Sequence, residues 1–327
     1  MGSKTYSKLL SICIPSYNRG HRALPLVRSL LEMDCISKRD DIGIILSNNG
    51  STKYTEEYEI ISTIRDKHFK YNRFPENILY PGNYNEIVKM SDGHYCLLIS
   101  DEDTFDEKCL EGFIEFIGQC PDAGVLKTGT TRQYNDQTTE YFEAGEEALK
   151  AFYLVGNYIS GTVYNRDYVT DQLMDGLRDL YKEDEGYYYY PHLFVEAYAL
   201  NIAGFYSFSE QVIIEGEDEG DQPVADEVTV PVFASWTTRV AQLRGYYKLI
   251  RDLHIDDGRK QLMFMMATTK TIALIKLVKD KYLQTGSSWD DVYAAASNAV
   301  IKAVSECEIP VIEDNMEAYI QVIADFL

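Results

Sequence analysis

Residues 77–103, which read NILYPGNYNEIVKMSDGHYCLLISDED, decide the fold. Tyr84 to Met90 carries apolar residues at helical spacing, and Tyr95 to Ile99 is a short apolar run typical of a buried strand. Three carboxylates, those of Asp101, Glu102 and Asp103, follow the strand. A helix leading into a buried strand that ends in charged residues predicts an α/β fold with functional side chains at the end of a sheet.

Two further buried strands precede this stretch, over Leu9 to Ile14 and Ile42 to Leu46. Helical spacing of apolar residues follows each of them, over Leu24 to Met33 and Thr55 to Arg65. Strands that alternate with helices predict a mostly parallel central sheet flanked by helices. The polar segments after the three strands, Pro-Ser-Tyr-Asn, Ser-Asn-Asn-Gly-Ser-Thr and Ser-Asp-Glu-Asp, are therefore expected to converge on one site.

The chain changes character after residues 215–226, EGEDEGDQPVAD. This stretch has few apolar residues to offset the entropy of ordering, so we expect a mobile loop or linker. Beyond it the pattern is helical over Arg239 to Leu253, Lys260 to Lys279, Trp289 to Glu306 and Asn315 to Leu327. We predict an α/β domain over residues 1–230 and a C-terminal helical region over 231–327.

The composition excludes several classes of protein. A net charge of −21 over 327 residues makes nucleic acid an unexpected partner, because phosphate binding needs a basic surface. Six cysteines without C-x-x-C spacing, and no recognisable signal peptide, favour free thiols in the cytoplasm. No apolar run reaches ~18 residues, so no transmembrane segment is expected.

Several catalytic motifs are missing from the sequence. There is no G-x-G-x-x-G after the first strand, no P-loop and no G-x-S-x-G elbow. The five histidines lack the spacing of a zinc site. The chemistry is therefore expected to depend on carboxylates.

The acid cluster Asp101, Glu102 and Asp103 has two interpretations. Adjacent carboxylates repel one another unless a cation lies among them, and hard divalent cations take oxygen ligands from carboxylates and phosphates. Such a cation stabilises a departing diphosphate. Alternatively, the acids favour a helix N-terminus, with Asp103 capping a helix that begins near Asp106.

Four blocks together resemble the family 2 glycosyltransferases: SICIPSYNR, IILSNNGST, the Asn- and Gly-containing NILYPGNYN, and GHYCLLISDED. The resemblance covers residues 8–110 well and residues 120–215 in outline. It implies the GT-A fold and sugar transfer from a nucleotide-sugar. Neutral Asn48 and Ser100 stand where many family members carry acids.

The resemblance also implies roles for matching residues. Pro15, Tyr17 and Asn48 are expected at the nucleotide base, and Gly82, Asn83 and Asn85 near the ribose and sugar. Asp101 and Glu102 are expected near the ribose and donor sugar, and Asp103 is expected to bind Mn²⁺ or Mg²⁺.

The catalytic base is expected in a later acidic segment, as in inverting members of the family. Asp184 is the first candidate and Glu185 the second, in the stretch YKEDEGYYYY, with His192 as an outside candidate. A solvated acidic turn is the alternative. Tyr187 to Tyr190 is either a sugar-stacking platform or a strand with two buried and two exposed rings.

These observations predict an inverting, metal-dependent transferase that moves a hexosyl or N-acetylhexosaminyl group from a UDP-sugar. The expected acceptor is a hydroxyl of a glycan or lipid-linked glycan, in polysaccharide biosynthesis in the cytoplasm or at the inner face of the membrane. The alternative is a catalytically silent GT-A-like module that binds nucleotide-sugar or glycan. A nucleotidyltransferase is a further rival, although PSYNRGHR is a poor match to its Gly-rich basic loop.

Overall fold

The structure is a computed structural model that describes residues 6–119, 123–135, 138–155, 158–217 and 230–326. The strands within these residues are β1 Lys8–Ser16, β2 Ile42–Asn48, β3 Phe69–Arg73, β4 Gly93–Leu98, β5 Thr104–Phe105, β6 Ala123–Thr130, β7 Glu140–Phe142, β8 Thr162–Asn165 and β9 Gly204–Ile214.

Helices occupy most of the remaining described chain. Those of the first two thirds are α1 Gly20–Glu32, α2 Asp34–Ser37, α3 Thr55–Thr63, α4 Leu79–Met90, α5 Glu107–Gln119, α6 Glu146–Phe152, α7 Asp171–Tyr181, α8 Glu185–Tyr189 and α9 Pro191–Ile202. After a 3₁₀ turn, Val232–Ala234, come α10 Trp236–Asp252, α11 Asp257–Leu277, α12 Lys279–Gln284, α13 Trp289–Ser305, α14 Pro310–Glu313 and α15 Met316–Phe326.

The described strands form one mixed sheet in the order β3-β2-β1-β4-β8-β6-β9-β5, with β7 also paired to β9. Pairing is parallel from β3 through β4 and between β6 and β9, and antiparallel elsewhere. The predicted α/β class, with helices flanking a central sheet and a C-terminal helical region, is confirmed. The three strands predicted from the sequence, β1, β2 and β4, all lie in the parallel part of the sheet.

Strand β1 lies at the centre of the parallel part, and its two faces pack differently. Leu10, Ile12 and Ile14 are fully buried in the main apolar core, where each such side chain contributes ~1.5–3 kcal/mol. On the opposite face the Cys13 thiol contacts the carbonyl oxygen of Ile87 on α4. Because β1 lies between β2 and β4, its polar carboxyl end lies between the ends of those two strands.

The first strand runs beyond Ile14, the end that was predicted for it. Pro15 pairs in register with Ser47 of β2, whereas the pairing of β1 with β4 ends at Cys13. Proline lacks an N–H and is tolerated where no ladder partner needs one. β1 therefore extends to Ser16, level with Asn48.

The chain divides into two compact units. One comprises Met1–Leu180 with Val195–Asp218, and the other comprises Tyr181–Phe194 with Glu219–Leu327. The acidic segment Tyr181–Phe194 thus groups with the C-terminal helices. The domain division at residue 230 stays a prediction.

The second unit contains the four predicted C-terminal helices, as α10, α11, α13 and α15. Helix α10 packs on α8, α11 and α13, and the Tyr247 hydroxyl contacts Thr268 Oγ1 at 2.7 Å. Of the four tyrosines at 187–190, the first three are helical in α8, and the segment is not a strand. Tyr187 is buried and Tyr188 is 36% exposed, as expected for one turn of helix on a core.

One helical stretch among the described residues, Asp257–Gln284, is long and apolar enough to cross a membrane by length and composition. Its α11 part packs against α10, α13, α14 and α15. Core helices of globular proteins pass the same test, so we interpret α11 as the central helix of its unit. The lack of a transmembrane segment stays a prediction.

Candidate functional site

The polar ends of the strands meet in the first compact unit. Ser16 Oγ donates to Asp101 Oδ2 at 2.6 Å, which joins the end of β1 to the acid cluster after β4. Asn18 Oδ1 accepts from the backbone N–H groups of Thr52 and Lys53 at 2.8 and 3.0 Å. Asn18 has φ 57°, a left-handed conformation that asparagine tolerates better than most residues. These contacts hold all three polar segments at one edge of the sheet.

Asp101, the first acid of the cluster, is buried, with 4% exposure. Burial raises the pKa of its carboxyl, against the lowering effects of the Ser16 hydrogen bond and of Arg19. The Arg19 guanidinium lies 3.4 Å from Asp101 Oδ1. Asp101 is therefore fixed by the loop between β1 and α1.

Glu102 forms ion pairs with two arginines at the start of α1. Its Oε2 lies 2.9 Å from Arg19 and 3.5 Å from Arg22. Arg22 also donates to the carbonyl oxygen of Glu217 at 3.0 Å. Burial raises the pKa of Glu102, and the two arginines oppose the shift. Two cationic side chains thus lie beside the cluster. They neutralise its acids and can also attract anionic ligands.

Asp103 receives hydrogen bonds from three segments. The Tyr158 hydroxyl donates to its two oxygens at 2.6 and 2.5 Å, and Ser160 Oγ donates to Oδ2. The backbone N–H of Gly216 donates to Oδ1 at 3.0 Å. Charge-assisted bonds of this kind are stronger than neutral ones. They fix the orientation of a carboxylate that is 3% exposed.

Gly216 lies so close to Glu102 that no other residue fits without displacement. A Cβ atom at this position would be 1.9 Å from the Glu102 carbonyl oxygen. The close approach brings the Gly216 N–H to Asp103, so glycine is required here by backbone packing.

Pro15 and Tyr17, predicted at the nucleotide base, lie at and just beyond the end of β1. Pro15 is partly buried, and the Tyr17 side chain is 40% exposed. An aromatic ring that is partly open to solvent, one residue after Ser16, offers a stacking surface.

Asn48, also predicted at the base, is 1% exposed and already has internal partners. Its amide nitrogen donates to the Tyr71 hydroxyl at 2.9 Å, and its amide oxygen accepts from the Ser51 N–H at 2.9 Å. An amide has one further donor and acceptor position. Its contact with a base stays a prediction.

Gly82, Asn83 and Asn85 lie on α4. Asn83 Oδ1 accepts from Ser47 Oγ at 2.6 Å, at the end of β2. Asn85 is fully buried, and its amide donates to the carbonyl oxygen of Met174 on α7 at 2.6 Å. The contacts of Asn83 lie at the strand ends, whereas those of Asn85 join two helices, and the roles of all three toward a ligand stay predictions.

Asp184 and Glu185 lie in the second compact unit. Asp184 precedes α8, and its Oδ2 lies 2.9 Å from the Lys248 ammonium of α10. Glu185 is exposed. His192, in the first turn of α9, is 2% exposed and meets the Tyr190 ring edge to face. None of these contacts tests which of the three acts as a base.

Several residues that contact the cluster could not be identified from the sequence. Tyr158 and Ser160 are 55 and 57 residues from Asp103, and Gly216 is 113 residues away. Arg19 lies within the motif SICIPSYNR, so its place in that motif was the available signal. Residues 218–226 of the predicted mobile stretch lie outside the described residues, whereas Glu215 is anchored by Thr130 Oγ1 at 2.6 Å.

Comparison with a protein-family model gives a match over residues 11–175, half of the chain, and the matching model describes glycosyl transferase family 2. The matched range includes the acid cluster, both arginines, Tyr158 and Ser160. No curated protein matches the chain.

Solved structures with a similar fold include TarS of S. aureus, residues 1–349, in complex with UDP-GlcNAc. It is 14% identical with a TM-score of 0.60, covering 91% of this chain and 83% of TarS 1–349. The same fragment in complex with UDP has a TM-score of 0.61 at 14% identity, covering 97% and 87%. The mannosyltransferase PcManGT from Pyrobaculum calidifontis, in complex with GDP-Man and Mn²⁺, is 13% identical with a TM-score of 0.50, covering 98% and 87%.

Proposed function

This chain belongs to glycosyl transferase family 2 and has the GT-A fold, and on that premise we propose that it is an inverting, metal-dependent transferase that uses a UDP-sugar. The transferred group is a hexosyl or N-acetylhexosaminyl group, and the acceptor is a hydroxyl of a glycan or lipid-linked glycan. Polysaccharide biosynthesis in the cytoplasm, with peripheral contact to the membrane, is the setting that we propose. The complexes of TarS with UDP-GlcNAc and of PcManGT with GDP-Man support a nucleotide-sugar donor.

The observation that carries the proposal is the contact of the two arginines with the acid cluster at one edge of the sheet, close in sequence to the exposed ring of Tyr17. In the proposed complex the base stacks on Tyr17, and Asn48 and Pro15 border it. Gly82, Asn83 and Asn85 lie on the side of the ribose and sugar, with Asp101 and Glu102. Arg19 and Arg22 supply positive charge for the diphosphate, which develops charge as it leaves.

A divalent cation, Mn²⁺ or Mg²⁺, fits the donor set around Asp103. In the part of the chain that the structure describes, no three His, Cys, Asp or Glu side chains group closely enough to hold a metal ion by themselves. One fixed carboxylate suits a cation that takes its other ligands from substrate phosphates and water. Bound there, the cation supplies Lewis-acid stabilisation of the diphosphate. The Mn²⁺ complex of PcManGT supports this assignment.

For the acceptor, we propose that Asp184, or otherwise Glu185, removes the proton of the attacking hydroxyl. Inversion requires attack from the face opposite the leaving diphosphate, with a base within hydrogen-bond reach of the hydroxyl. A carboxylate outside the acid cluster suits this role, because in the proposed complex the cation and the donor occupy Asp101, Glu102 and Asp103.

The test of the proposed function is Mn²⁺-dependent binding of UDP, followed by donor turnover. We expect Asp103→Ala to lose Mn²⁺-dependent binding and sugar transfer while the circular dichroism spectrum is unchanged. Glu111→Gln, which changes an exposed acid on α5, is the matched control and is expected to behave as the parent. Parent-like turnover by Asp103→Ala would show that the metal site lies elsewhere.

Two observations favour the alternative, a catalytically silent member of the family. Asp101 and Glu102 are paired with arginines, and neutral Asn48 and Ser100 stand where acids are common. A silent module binds UDP-sugar but neither hydrolyses nor transfers it. Hydrolysis of UDP-sugars with added Mn²⁺ therefore distinguishes the two.

A further inference from the structure

Lys127 is a buried lysine whose role the proposed mechanism leaves unexplained. It lies within β6 and is 1% exposed. Its Nζ donates to the carbonyl oxygens of Tyr158 and Ser160 at 2.7 and 2.8 Å, and to Thr162 Oγ1 at 3.1 Å. An ammonium has three N–H donors, so each has a partner in this arrangement.

The two residues whose carbonyls accept from Lys127 are the two whose hydroxyls donate to Asp103. They belong to a segment without regular structure that enters β8 at Thr162. Ser160 Oγ also accepts from the Ser100 N–H at 2.8 Å. Lys127 is thus connected to the predicted metal ligand Asp103 through a single intervening residue, either Tyr158 or Ser160.

A purely stabilising role explains Lys127 poorly. Of the residues that the structure describes, none forms an ion pair with it. Burying an ammonium that only neutral oxygens accept from is costly, and apolar side chains often replace such groups without loss of stability. Burial accordingly lowers the pKa of Lys127 to about 8, against the raising effects of Glu196, Glu215 and Asp103. A costly local feature beside a candidate site points to function.

We propose that Lys127 is a positioning residue for the donor site. By holding the main chain of Tyr158 and Ser160, it keeps their hydroxyls on Asp103 and fixes the carboxylate in the orientation that a cation and donor diphosphate require. This inference rests on the proposed function, because it concerns the same site.

The test compares the parent with three variants. The first is Lys127→Met, and the second is the hydroxyl-free variant, which carries both Tyr158→Phe and Ser160→Ala. The third, the combined variant, carries all three changes. Calorimetry measures the affinity for Mn²⁺ in the presence of UDP. We expect Lys127→Met to weaken that affinity by at least ~10-fold, at the lower end of the effect of losing a residue that orients a metal ligand. The hydroxyl-free variant is expected to lose a similar factor.

The decisive result is the combined variant. If Lys127 acts through the two hydroxyls, the combined loss equals that of the hydroxyl-free variant, because the changes share one pathway. Losses that multiply, or parent-like affinity of Lys127→Met, would overturn the proposal. The hydroxyl-free variant leaves β6 intact, so parent-like affinity there would overturn it even if Lys127→Met fails to fold.

The pH dependence of the Mn²⁺ affinity gives a second test. A merely structural role of Lys127 would not produce the dependence expected here. The groups that face Lys127 are Glu196 of α9, Glu215 after β9, Asp103 after β4 and the Tyr134 ring, 6.0 Å from Nζ. Above about pH 8 the lysine is neutral and has fewer N–H donors. The affinity ratio of parent to Lys127→Met is therefore expected to fall toward one, and a constant ratio would contradict the proposal.

The proposal and the function on which it rests fail in different ways. A folded parent that shows no Mn²⁺-dependent UDP binding would overturn the proposed function, and this inference with it. Binding by the parent that every variant retains would overturn the positioning role alone.

Discussion

The three consecutive carboxylates Asp101, Glu102 and Asp103 are stabilised by different sets of partners. Asp101 has a serine hydroxyl and one arginine, Glu102 has two arginines, and Asp103 has two hydroxyls and a backbone N–H. Adjacent like charges disfavour ionisation unless such partners compensate. The cluster therefore tolerates its own charge, and its Asp103 end lacks an arginine partner among the described residues.

Glu196 is a second buried ionisable group near Lys127, and it is 1% exposed. Its Oε2 has no hydrogen-bond partner among the described residues. Burial raises the pKa of Glu196 to about 8 from the usual 4.5, and Lys127 only partly opposes the shift. At neutral pH the carboxyl is thus mostly protonated.

This shift predicts a pH dependence of stability that Glu196→Gln removes. Between pH 4.5 and about 8 the folded protein keeps a proton that the unfolded chain has lost, so its free energy of unfolding falls as pH rises. The fall amounts to about 1.4 kcal/mol per pH unit at most. We expect the Tm of Glu196→Gln relative to the parent to increase from pH 5 to pH 8.

The matched control is Glu59→Gln, which changes an exposed acid on α3 and is expected to follow the parent. The comparison stops at pH 8, because Lys127 acts in the opposite direction above it. The lowered pKa of that lysine makes stability rise between about pH 8 and 10.5. Parallel Tm curves for the parent and Glu196→Gln would show that Glu196 is ionised in the fold.

At the scale of elements, the end of β9 is the part of the chain that returns to the acid cluster. Glu215 accepts hydrogen bonds from Thr130 Oγ1 and from the backbone N–H groups of Arg132 and Gln133. Burial would raise its pKa, but these bonds outweigh burial and leave the pKa lowered. This anchor places the next residue, Gly216, against Glu102 and Asp103.

Gly216→Ala is therefore expected to weaken donor binding without unfolding the protein. Its Cβ would meet the Glu102 carbonyl oxygen, which is main chain and cannot rotate away. The displacement removes the N–H bond to Asp103, and we expect Mn²⁺-dependent UDP affinity to fall by roughly 10-fold, as for other groups that orient a metal ligand.

Gly176→Ala is the matched control, because a Cβ there meets nothing within 4 Å. Gly176 lies within α7, so alanine is expected to stabilise the protein by about 0.5–1 kcal/mol and to leave UDP affinity unchanged. Unchanged affinity in Gly216→Ala as well would mean that this backbone contact is dispensable.

At the scale of the whole molecule, the candidate site concentrates cations in an acidic chain. The net charge is −21, yet Arg19 and Arg22 form ion pairs with the acid cluster. Lys127 contacts Ser160, which in turn donates a hydrogen bond to Asp103. A diphosphate approaching such a chain is repelled at long range and attracted locally. The local arrangement, and not the overall charge, is therefore what suits a nucleotide-sugar.

In the proposed mechanism the acid cluster binds the metal and the donor, whereas Asp184 acts as the base. A change of the base is therefore expected to affect sugar transfer but not donor binding. We expect Asp184→Asn, or failing that Glu185→Gln, to keep Mn²⁺-dependent UDP binding but to lose transfer by at least ~10²-fold, as for removal of a general base. Glu183→Gln, the exposed neighbour, is the control. Parent-like transfer rates in both variants would make the acidic turn a solvated loop, with His192 the next residue to test.

The sequence by itself determined the α/β class, the three central strands, the four C-terminal helices and the family. These features depend on local periodicity and on short motifs, because the burial of one face repeats every two or 3.6 residues along the chain. The acid cluster was likewise visible, since Asp101, Glu102 and Asp103 are adjacent.

Only the tertiary structure decided what those acids contact. Tyr158, Ser160 and Gly216 reach Asp103 from far along the chain, and Lys127 reaches the first two from another strand. The helical form of α8 was decided in the same way, by packing against α10. Local pattern shows which face of an element is buried, whereas a hydrogen bond between distant segments depends on the strand order that brings them together.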